Sequence, residues 1–434
     1  MSKVRYKARG RARPGAVLSA VLVMNMAIAA SANADFDAFN EDVENALKGK
    51  WGDVTCINCG KVNFNIRYRF EYVDQQGLGV ARGDPIRLRL GYLTPQLYGF
   101  RAFAEFEGNT PIFADDYNST RNGKRQFPVI ADPAVAEVNQ LWIGYNGLLE
   151  TDIKAGRQRI NYNNQRFVGA VAWRQLEQTF DSATIVNQTI GNTDFKFGFI
   201  WNVRNVTGRD VSMRSPILNL SYDVLDYGKA TAYGYWLGYS SNFNSGPFPF
   251  AFSTQTYGLR FDGSTGIIDN LKALYTAEYA YQKDYDKNPR SYHANYFHLM
   301  GGFRIPEVGA GFSNIIGKVD WEYLGSKNNV AFQTPLGTNH AFQGWADQFL
   351  VTPPQGVRDL YGTLGVMFYG VKMAAIYHQF DSAVGGRDYG HEIDAVISKK
   401  LSKHYTLQGK YAQYYARDFK TDTQKFWLSL IVGF

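Results

Sequence analysis

The stretch NFNIRYRFEY, residues 63–72, alternates without a break: Phe64, Ile66, Tyr68, Phe70 and Tyr72 fall on one face, and Asn63, Asn65, Arg67, Arg69 and Glu71 on the other. Successive side chains of a β-strand point to opposite sides, so this period of two gives one apolar face and one charged face. The pattern recurs. Ile86, Leu88, Leu90 and Tyr92 oppose Arg87 and Arg89; Phe195, Phe197, Phe199, Trp201 and Val203 oppose Lys196, Gly198, Asn202 and Arg204; Val319, Trp321 and Tyr323 oppose Lys318, Asp320 and Glu322. A water-soluble sandwich shows the same period, so the choice between sandwich and membrane barrel rests on other features.

Three features select the barrel. The chain ends in FWLSLIVGF, residues 426–434, with Phe426, Leu428, Leu430, Val432 and Phe434 on one face and an aromatic as the last residue. This ending resembles the signal read by the barrel assembly machinery, an expected partner. Alternating segments number about eighteen between Val62 and Phe434, an even count as single-chain bacterial barrels require. Connection lengths also alternate. Short links at Thr94 to Gln96, Gly147 to Glu150, Asp226 to Lys229, Gly370, and Lys399 to Ser402 interleave with long ones at 108–137 and 325–358. Short periplasmic turns and long extracellular loops are the usual asymmetry of such barrels. The expected fold is all-β: a transmembrane antiparallel up-and-down barrel.

Composition and charge agree. The chain holds 30 Phe, 29 Tyr, 8 Trp and 43 Gly in 434 residues, with almost no helical periodicity. Residues 1–34 read as a secretory signal peptide. Lys3, Arg5, Lys7, Arg9, Arg11 and Arg13 precede an apolar run from Ala16 to Ala30, and Ala32 and Ala34 frame a cut before Asp35. The run falls short of the roughly 20 apolar residues of a spanning helix. All six charges of the signal are basic, so cleavage lowers Lys plus Arg from 46 to 40 against 39 Asp plus Glu. The formal charge of +7 is thus a targeting feature, and no nucleic-acid partner is expected. Residues 35–61 form a polar periplasmic segment in which Phe39, Val43 and Leu47 suggest a short helix or plug. The barrel then occupies residues 62–434. The expected location is the outer membrane of a Gram-negative cell, as a monomer among lipid and lipopolysaccharide.

A barrel of that width cannot fill its interior with wall side chains, so it holds water, folded-in loops or both. The polar faces supply Arg67, Arg69, Arg87, Arg89, Arg101, Lys196, Arg204, Lys272, Lys318, Lys372 and Lys410, with Glu71, Glu105, Glu278, Asp320, Glu322, Glu392 and Asp394 among them. Guanidinium groups grip carboxylates in a bidentate way, so an arginine-rich wall suits an anionic solute. The plainer alternative is that these charges pair with one another in a hydrated lumen, as in a general porin.

Sites of chemistry are nearly absent. Cys56 and Cys59, in the segment CINC, form a disulfide candidate; haem attachment would need His where Gly60 stands, and zinc would need two further ligands. The six histidines (His293, His298, His340, His378, His391, His404) lack metal-ligand spacing, and no GxSxG or phosphate-cradling loop occurs. No cofactor, no metal and no enzymatic activity are expected.

One block is more specific than the rest: AGRQRINYNNQRFVGAVAWRQLEQTFD, residues 155–181. With NIRYRFEYVDQ from Asn65, ADPAVAEVNQLWIGY from Ala131, AFQGWADQFLVTPP from Ala341 and DTQKFWLSL from Asp422, it resembles the alginate export family of outer-membrane porins. The resemblance implies an eighteen-stranded barrel with an electropositive constriction through which an anionic polysaccharide or oligosaccharide, an alginate-like polyuronate, leaves by passive diffusion. It implies Arg157 and Arg159 on a pore-facing strand, then Asn161, Asn164, Gln165 and Arg166 in an inward loop. Trp173, Arg174, Glu177 and Asp181 complete the block, with Glu177 and Asp181 on one face opposite Leu176 and Phe180. The same run read as a latch bracing the wall is the structural alternative. The CxxC pair departs from the family. A general or small-nutrient porin of weak selectivity and an outer-membrane hydrolase are the competing functions. The loop 325–358, with Phe332, His340, Phe342, Trp345, Asp347 and Phe349, is either a lid or constriction or a plain surface loop.

Overall fold

A computed structural model describes residues 34–48, 50–51, 54–55, 60–240 and 252–434. The signal region and the pair Cys56 and Cys59 lie outside the described residues. Two units are distinguished. The N-terminal one contains α1, Ala34–Leu47, over the segment expected to be a short helix, and two antiparallel two-residue strands, Lys50–Trp51 and Val54–Thr55.

The second unit, Gly60–Gly433, is a closed barrel. Its eighteen strands are β1 (Lys61–Gln75), β2 (Ala81–Leu93), β3 (Phe100–Asp116), β4 (Val135–Leu148), β5 (Thr151–Gln158), β6 (Thr179–Asn187), β7 (Thr193–Arg204), β8 (Asp210–Val224), β9 (Gly228–Tyr239), β10 (Thr254–Ile268), β11 (Leu271–Asp284), β12 (His293–Gly309), β13 (Phe312–Leu324), β14 (Val357–Phe368), β15 (Val371–Asp381), β16 (Asp388–Lys400), β17 (Tyr405–Ala416) and β18 (Thr423–Gly433). Each pairs antiparallel with its sequence neighbours. The ring closes where β18 meets β1, with Tyr72 opposite Phe426 and Phe70 opposite Leu428.

The alternation read from sequence sets the two faces, except in β7, where a bulge at Trp201 shifts the phase and turns Val203 inward instead of onto the outer face with Trp201. Leu88, Leu90 and Tyr92 of β2, Phe195, Phe197, Phe199 and Trp201 of β7, and Leu360 and Leu364 of β14 are exposed on the outside. Arg67, Arg69 and Glu71 of β1 and Arg87 and Arg89 of β2 point inward and are buried. An apolar outer belt with charges inside is a membrane barrel turned correctly for lipid.

The two rims differ. Links from even to odd strands are short, and two of them, Ala310–Gly311 and Tyr369–Gly370, have positive φ at both residues (49° and 81°; 44° and 75°). That backbone matches the twist of a tight hairpin, and Gly at the second position relieves the strain. Links from odd to even strands include three long loops: 117–134, 159–178 and 325–356. The first is shorter than the expected 108–137. β3 continues through Pro111, which lies opposite Pro85 at a bulge between Gly83 and Pro85, where a missing N–H is tolerated.

The apolar core lies inside the ring. Phe180, Ile200, Val203, Ile217, Tyr235, Tyr296, Phe380, Tyr414 and Trp427 of the wall pack with Phe167 and Val168 of loop 159–178 and Phe332, Leu336 and Phe349 of loop 325–356. The long loops therefore fold inward, and their apolar residues fill space that wall side chains cannot reach.

Leu364, 70% exposed on the outer face, provides a test of this orientation. Leu364→Lys is expected to lower folding stability in lipid vesicles by about 2–4 kcal/mol. Lys372→Gln, on the watery inner side, should change it by less than about 0.5 kcal/mol. Denaturant titration by tryptophan fluorescence reads both.

Candidate functional site

Loop 159–178 enters the barrel from the end of β5 and runs against the inner wall of β1 to β3. Its backbone from Ala172 to Gln175 lies on a row of four arginines. Arg67 donates from Nε to Gln175 Oε1 at 2.7 Å, from Nη1 to the Ala172 carbonyl at 3.1 Å, and also to the Arg174 carbonyl. Arg69 donates to the Trp173 carbonyl, and Arg87 and Arg89 both reach the Gln175 carbonyl at 3.5 Å. Gln175 answers by donating Nε2 to the carbonyls of Pro85 at 2.7 Å and Arg67 at 3.2 Å. A loop with no ladder of its own must find partners for its backbone groups, and here the arginines provide them.

Four neighbouring cations repel unless carboxylates join them. Arg89 pairs with Glu107, and with Glu177 at 3.3 Å; Arg69 stands 3.8 Å from Asp132. Asp132, fully buried in loop 117–134, accepts the Gln175 N–H at 3.0 Å. Arg174 crosses between three elements, pairing with Glu71 of β1 at 3.2 Å, Asp132 at 3.7 Å and Asp347 of loop 325–356 at 3.2 Å. Arg159 binds Glu105 at 2.8 Å and also Glu177, while Asn139 donates to both carboxylates at 2.8 and 2.6 Å.

Loop 325–356 meets loop 159–178 inside the ring. Gly169 N–H donates to the Leu336 carbonyl at 2.9 Å and Thr338 N–H to the Gln165 carbonyl at 2.9 Å. Arg166, 1% exposed, binds Glu322 of β13 at 2.8 Å and Gln343 at 2.7 Å, with Phe342 beneath its guanidinium at 4.6 Å. Phe167 inserts among Tyr233, Tyr296 and Phe332, with ring centroids 5.2 to 5.9 Å apart. Trp173 stacks on His340 at 3.3 Å. His340 Nδ1 sits 2.7 Å from Asp347 and its Nε2 2.8 Å from Lys410 Nζ, which fits a neutral ring donating to the acid and accepting from the ammonium. Burial, and then Lys410, push the His340 imidazole well below its ordinary range. Burial alone would raise Asp347, but Lys425, His340 and Arg174 outweigh it and hold its carboxyl well below the usual carboxylate range.

The twelve residues expected to line a pore separate into three groups. Arg67, Arg69, Arg87, Arg89, Arg166, Arg174 and Glu177 are inside the barrel but buried, because the loops lie on top of them. Arg101, Arg159 and Lys196 also face inward and stay partly open, with side chains 27%, 33% and 30% exposed. Arg157 and Asp181 depart from expectation. Their register opposes them to each other, while Gln158 and Phe180, the next pair, are buried inside. On its other side Arg157 faces Leu141, which is 59% exposed on the outer wall. Arg157 and Asp181 thus belong to the outward face, joined at 2.7 Å, with Asp210 at 3.4 Å. β5 ends at Gln158, so the alternation that would set Arg157 and Arg159 on one face stops between them. Sequence reasoning missed Asp132, although it stands in the block ADPAVAEVNQLWIGY. Among the described residues no group of three or more His, Cys, Asp or Glu is arranged to hold a metal.

A family model described as Alginate export matches residues 60–302, more than half of the chain. The chain belongs to the alginate export family. No curated protein matches it. Solved structures share its fold at low identity. OpdL of Pseudomonas aeruginosa superposes with a TM-score of 0.65 at 12% identity, covering 86% of this chain and 98% of that one. OccAB2 of Acinetobacter baumannii gives 0.64 at 13%, and OpdK of P. aeruginosa 0.64 at 9%, each with the same coverage. Membership of the alginate export family and the closed barrel support an outer-membrane channel, a non-enzymatic transporter.

Two predictions follow from the loop anchors. Arg174→Ala leaves Glu71 without its cation and takes one partner each from Asp132 and Asp347, and breaking a buried pair in this way costs about 3–5 kcal/mol. Faster limited proteolysis within 159–178 and 325–356 is the expected readout, with the barrel strands intact. Acidification should act the same way. An opened loop would expose His340 and let it protonate near pH 6.5, while the packed ring stays neutral. The packed state thus loses up to about 1.4 kcal/mol per pH unit below that point. Proteolysis of loop 325–356 should therefore be faster at pH 5 than at pH 7.5, and His340→Gln should flatten the difference.

Proposed function

We propose that this member of the alginate export family is a passive channel for an anionic polysaccharide or oligosaccharide, an alginate-like polyuronate, leaving the cell. The observation that carries the reading is an asymmetry of exposure inside the barrel. Arg101, Arg159 and Lys196 keep side chains open to the lumen, whereas Glu107, Glu177 and Glu322 are wholly buried. At Arg159 a passing solute meets an open cation whose carboxylate partners, Glu105 and Glu177, are buried. Arg159 occupies the neck where loop 159–178 leaves the wall, and its two carboxylate partners orient the guanidinium while leaving a third of it free. Bidentate donors suit the carboxylate of a uronate, and the nearby acids keep the polymer from binding too tightly to leave. The buried arginines Arg67, Arg69, Arg87, Arg89, Arg166 and Arg174 act through the loops they hold, setting the width of the opening. The protein works as a monomer in lipid and lipopolysaccharide, folded by the barrel assembly machinery.

A second reading, a general or small-nutrient porin of weak selectivity, draws on the same burial: most of the arginines are consumed by internal partners. Reversal potential in a planar bilayer under a salt gradient separates the two. Anion preference, weakened by Arg159→Ala, and block by added polymannuronate are expected for the polyuronate channel. Cation preference, or no block by any polyuronate, would overturn it.

A further inference from the structure

Viewed from the rim with the short turns, the inner wall carries a regular feature. Five successive odd-numbered strands, β3, β5, β7, β9 and β11, and then β15, each place one cation on the inward face within four residues of their first residue. These are Arg101, Lys154, Lys196, Lys229, Lys272 and Lys372. Inward placement follows from register and alternation. Lys196 opposes Asn219, buried inside, and Lys229 shares its face with buried Thr231 and Tyr233. Lys272 is in phase with buried Thr276 and Glu278, and Lys372 with buried His378.

These cations are accessible. Arg101, Lys154 and Lys196 are 27–30% exposed, Lys229 is 40% exposed, and Lys272 and Lys372 are exposed. Four carboxylates stand among them, and one of these, Asp194, reaches Lys196 at 4.0 Å. Asp152 serves Arg101 at 2.8 Å and Lys154 at 3.1 Å, while Asp194 and Asp223 serve Lys229 at 3.1 and 3.2 Å. Asp262 is taken by Arg260 at 2.7 Å. Lys272 and Lys372 form no ion pair among the described residues. Deeper in the barrel the inward carboxylates Glu71, Glu107, Glu177, Glu322, Asp359 and Glu392 have no exposed surface. Cations therefore outnumber acids among the open charges of this mouth, whereas the charges deeper in the barrel are buried, and acids there pair with buried arginines. A nearly neutral mature chain has no excess of basic residues to produce this by composition alone.

We infer that this collar at the periplasmic mouth is the capture site for the polyanion, an inference that rests on the channel reading above. A mouth in which open cations outnumber open acids raises the local concentration of counter-charged solute. Six cations, five of them spread around half the ring and one beyond it, meet carboxylates of one extended chain, each contact weak, so the polymer is gathered without being held. Lysine suits this better than arginine: a mobile, strongly hydrated point charge attracts an anion without fixing its geometry. Capture on the periplasmic side matches a solute that starts inside the cell envelope.

The test uses the whole protein in a planar bilayer, with insertion direction read by streptavidin binding to a biotin placed in loop 117–134. Polymannuronate added to the side of the short turns should block current at a concentration roughly tenfold lower than from the loop side. In the variant K154Q/K196Q/K272Q/K372Q that side preference should vanish while block from the loop side persists. Neutral dextran of equal length should show no such preference in either protein, and matching circular dichroism spectra verify the fold. Equal block from both sides in the parent, or a preference that survives the four substitutions, overturns the collar and leaves the channel reading standing. Absence of block from either side overturns the channel reading itself.

Discussion

Hydrocarbon offers no partner for a backbone N–H or C=O, and this one constraint organises the molecule. A strand left unpaired in lipid would expose a full row of such groups, so the sheet has no stable form except a ring. The seam between β18 and β1 is where the requirement is met, and there Tyr72, Phe70 and Tyr68 face Phe426, Leu428 and Leu430 on the apolar outer side. Once the ring is closed, inside and outside cease to be equivalent. The belt of Leu, Phe and Trp meets lipid, and the charged faces of strands such as β1 and β2 are committed to a space too wide to be filled from the wall.

That space is occupied by loops, and loops bring their own unpaired backbone. Arginine is the side chain best able to answer it, because five donors on a rigid plane can serve two or three carbonyls at once. The row from Arg67 to Arg89 does this for residues 172–175, and buried carboxylates from three different elements offset the charge so introduced. Buried ion pairs are seldom a large source of net stability. Their value lies in geometry, since each guanidinium has one arrangement that satisfies all its neighbours. The loop is thereby fixed in position, and the shape of the opening is fixed with it.

The ring itself was legible in the amino-acid sequence. Runs such as NFNIRYRFEY carry the face assignment in their period, turn residues mark the strand ends, and loop lengths separate the rims. What lies on the inner face could not be read, because alternation names the side of a residue and says nothing of what later folds against it. Arg87 and Lys372 have the same local pattern, yet one is buried beneath Gln175 and the other is open. The block 155–181 supplied the inward loop by family likeness and also led astray at Arg157, where an ending strand interrupts the period. The contact of Asp132 with Gln175, 43 residues apart, has no local signature at all.

β5 and β6 span only eight and nine residues, against eleven to seventeen for the other strands. At about 3.3 Å per residue they run to roughly 26–30 Å before any tilt is counted. Tilted, they fall short of a full leaflet pair, and the polar group of Arg157, Asp181 and Asp210 sits at their upper end on the outward side. Lipids along that sector must compress, whereas those along β12 or β3 need not. The bilayer around this barrel is therefore pinched on one flank, a built-in lopsidedness that biases which neighbours can settle against it.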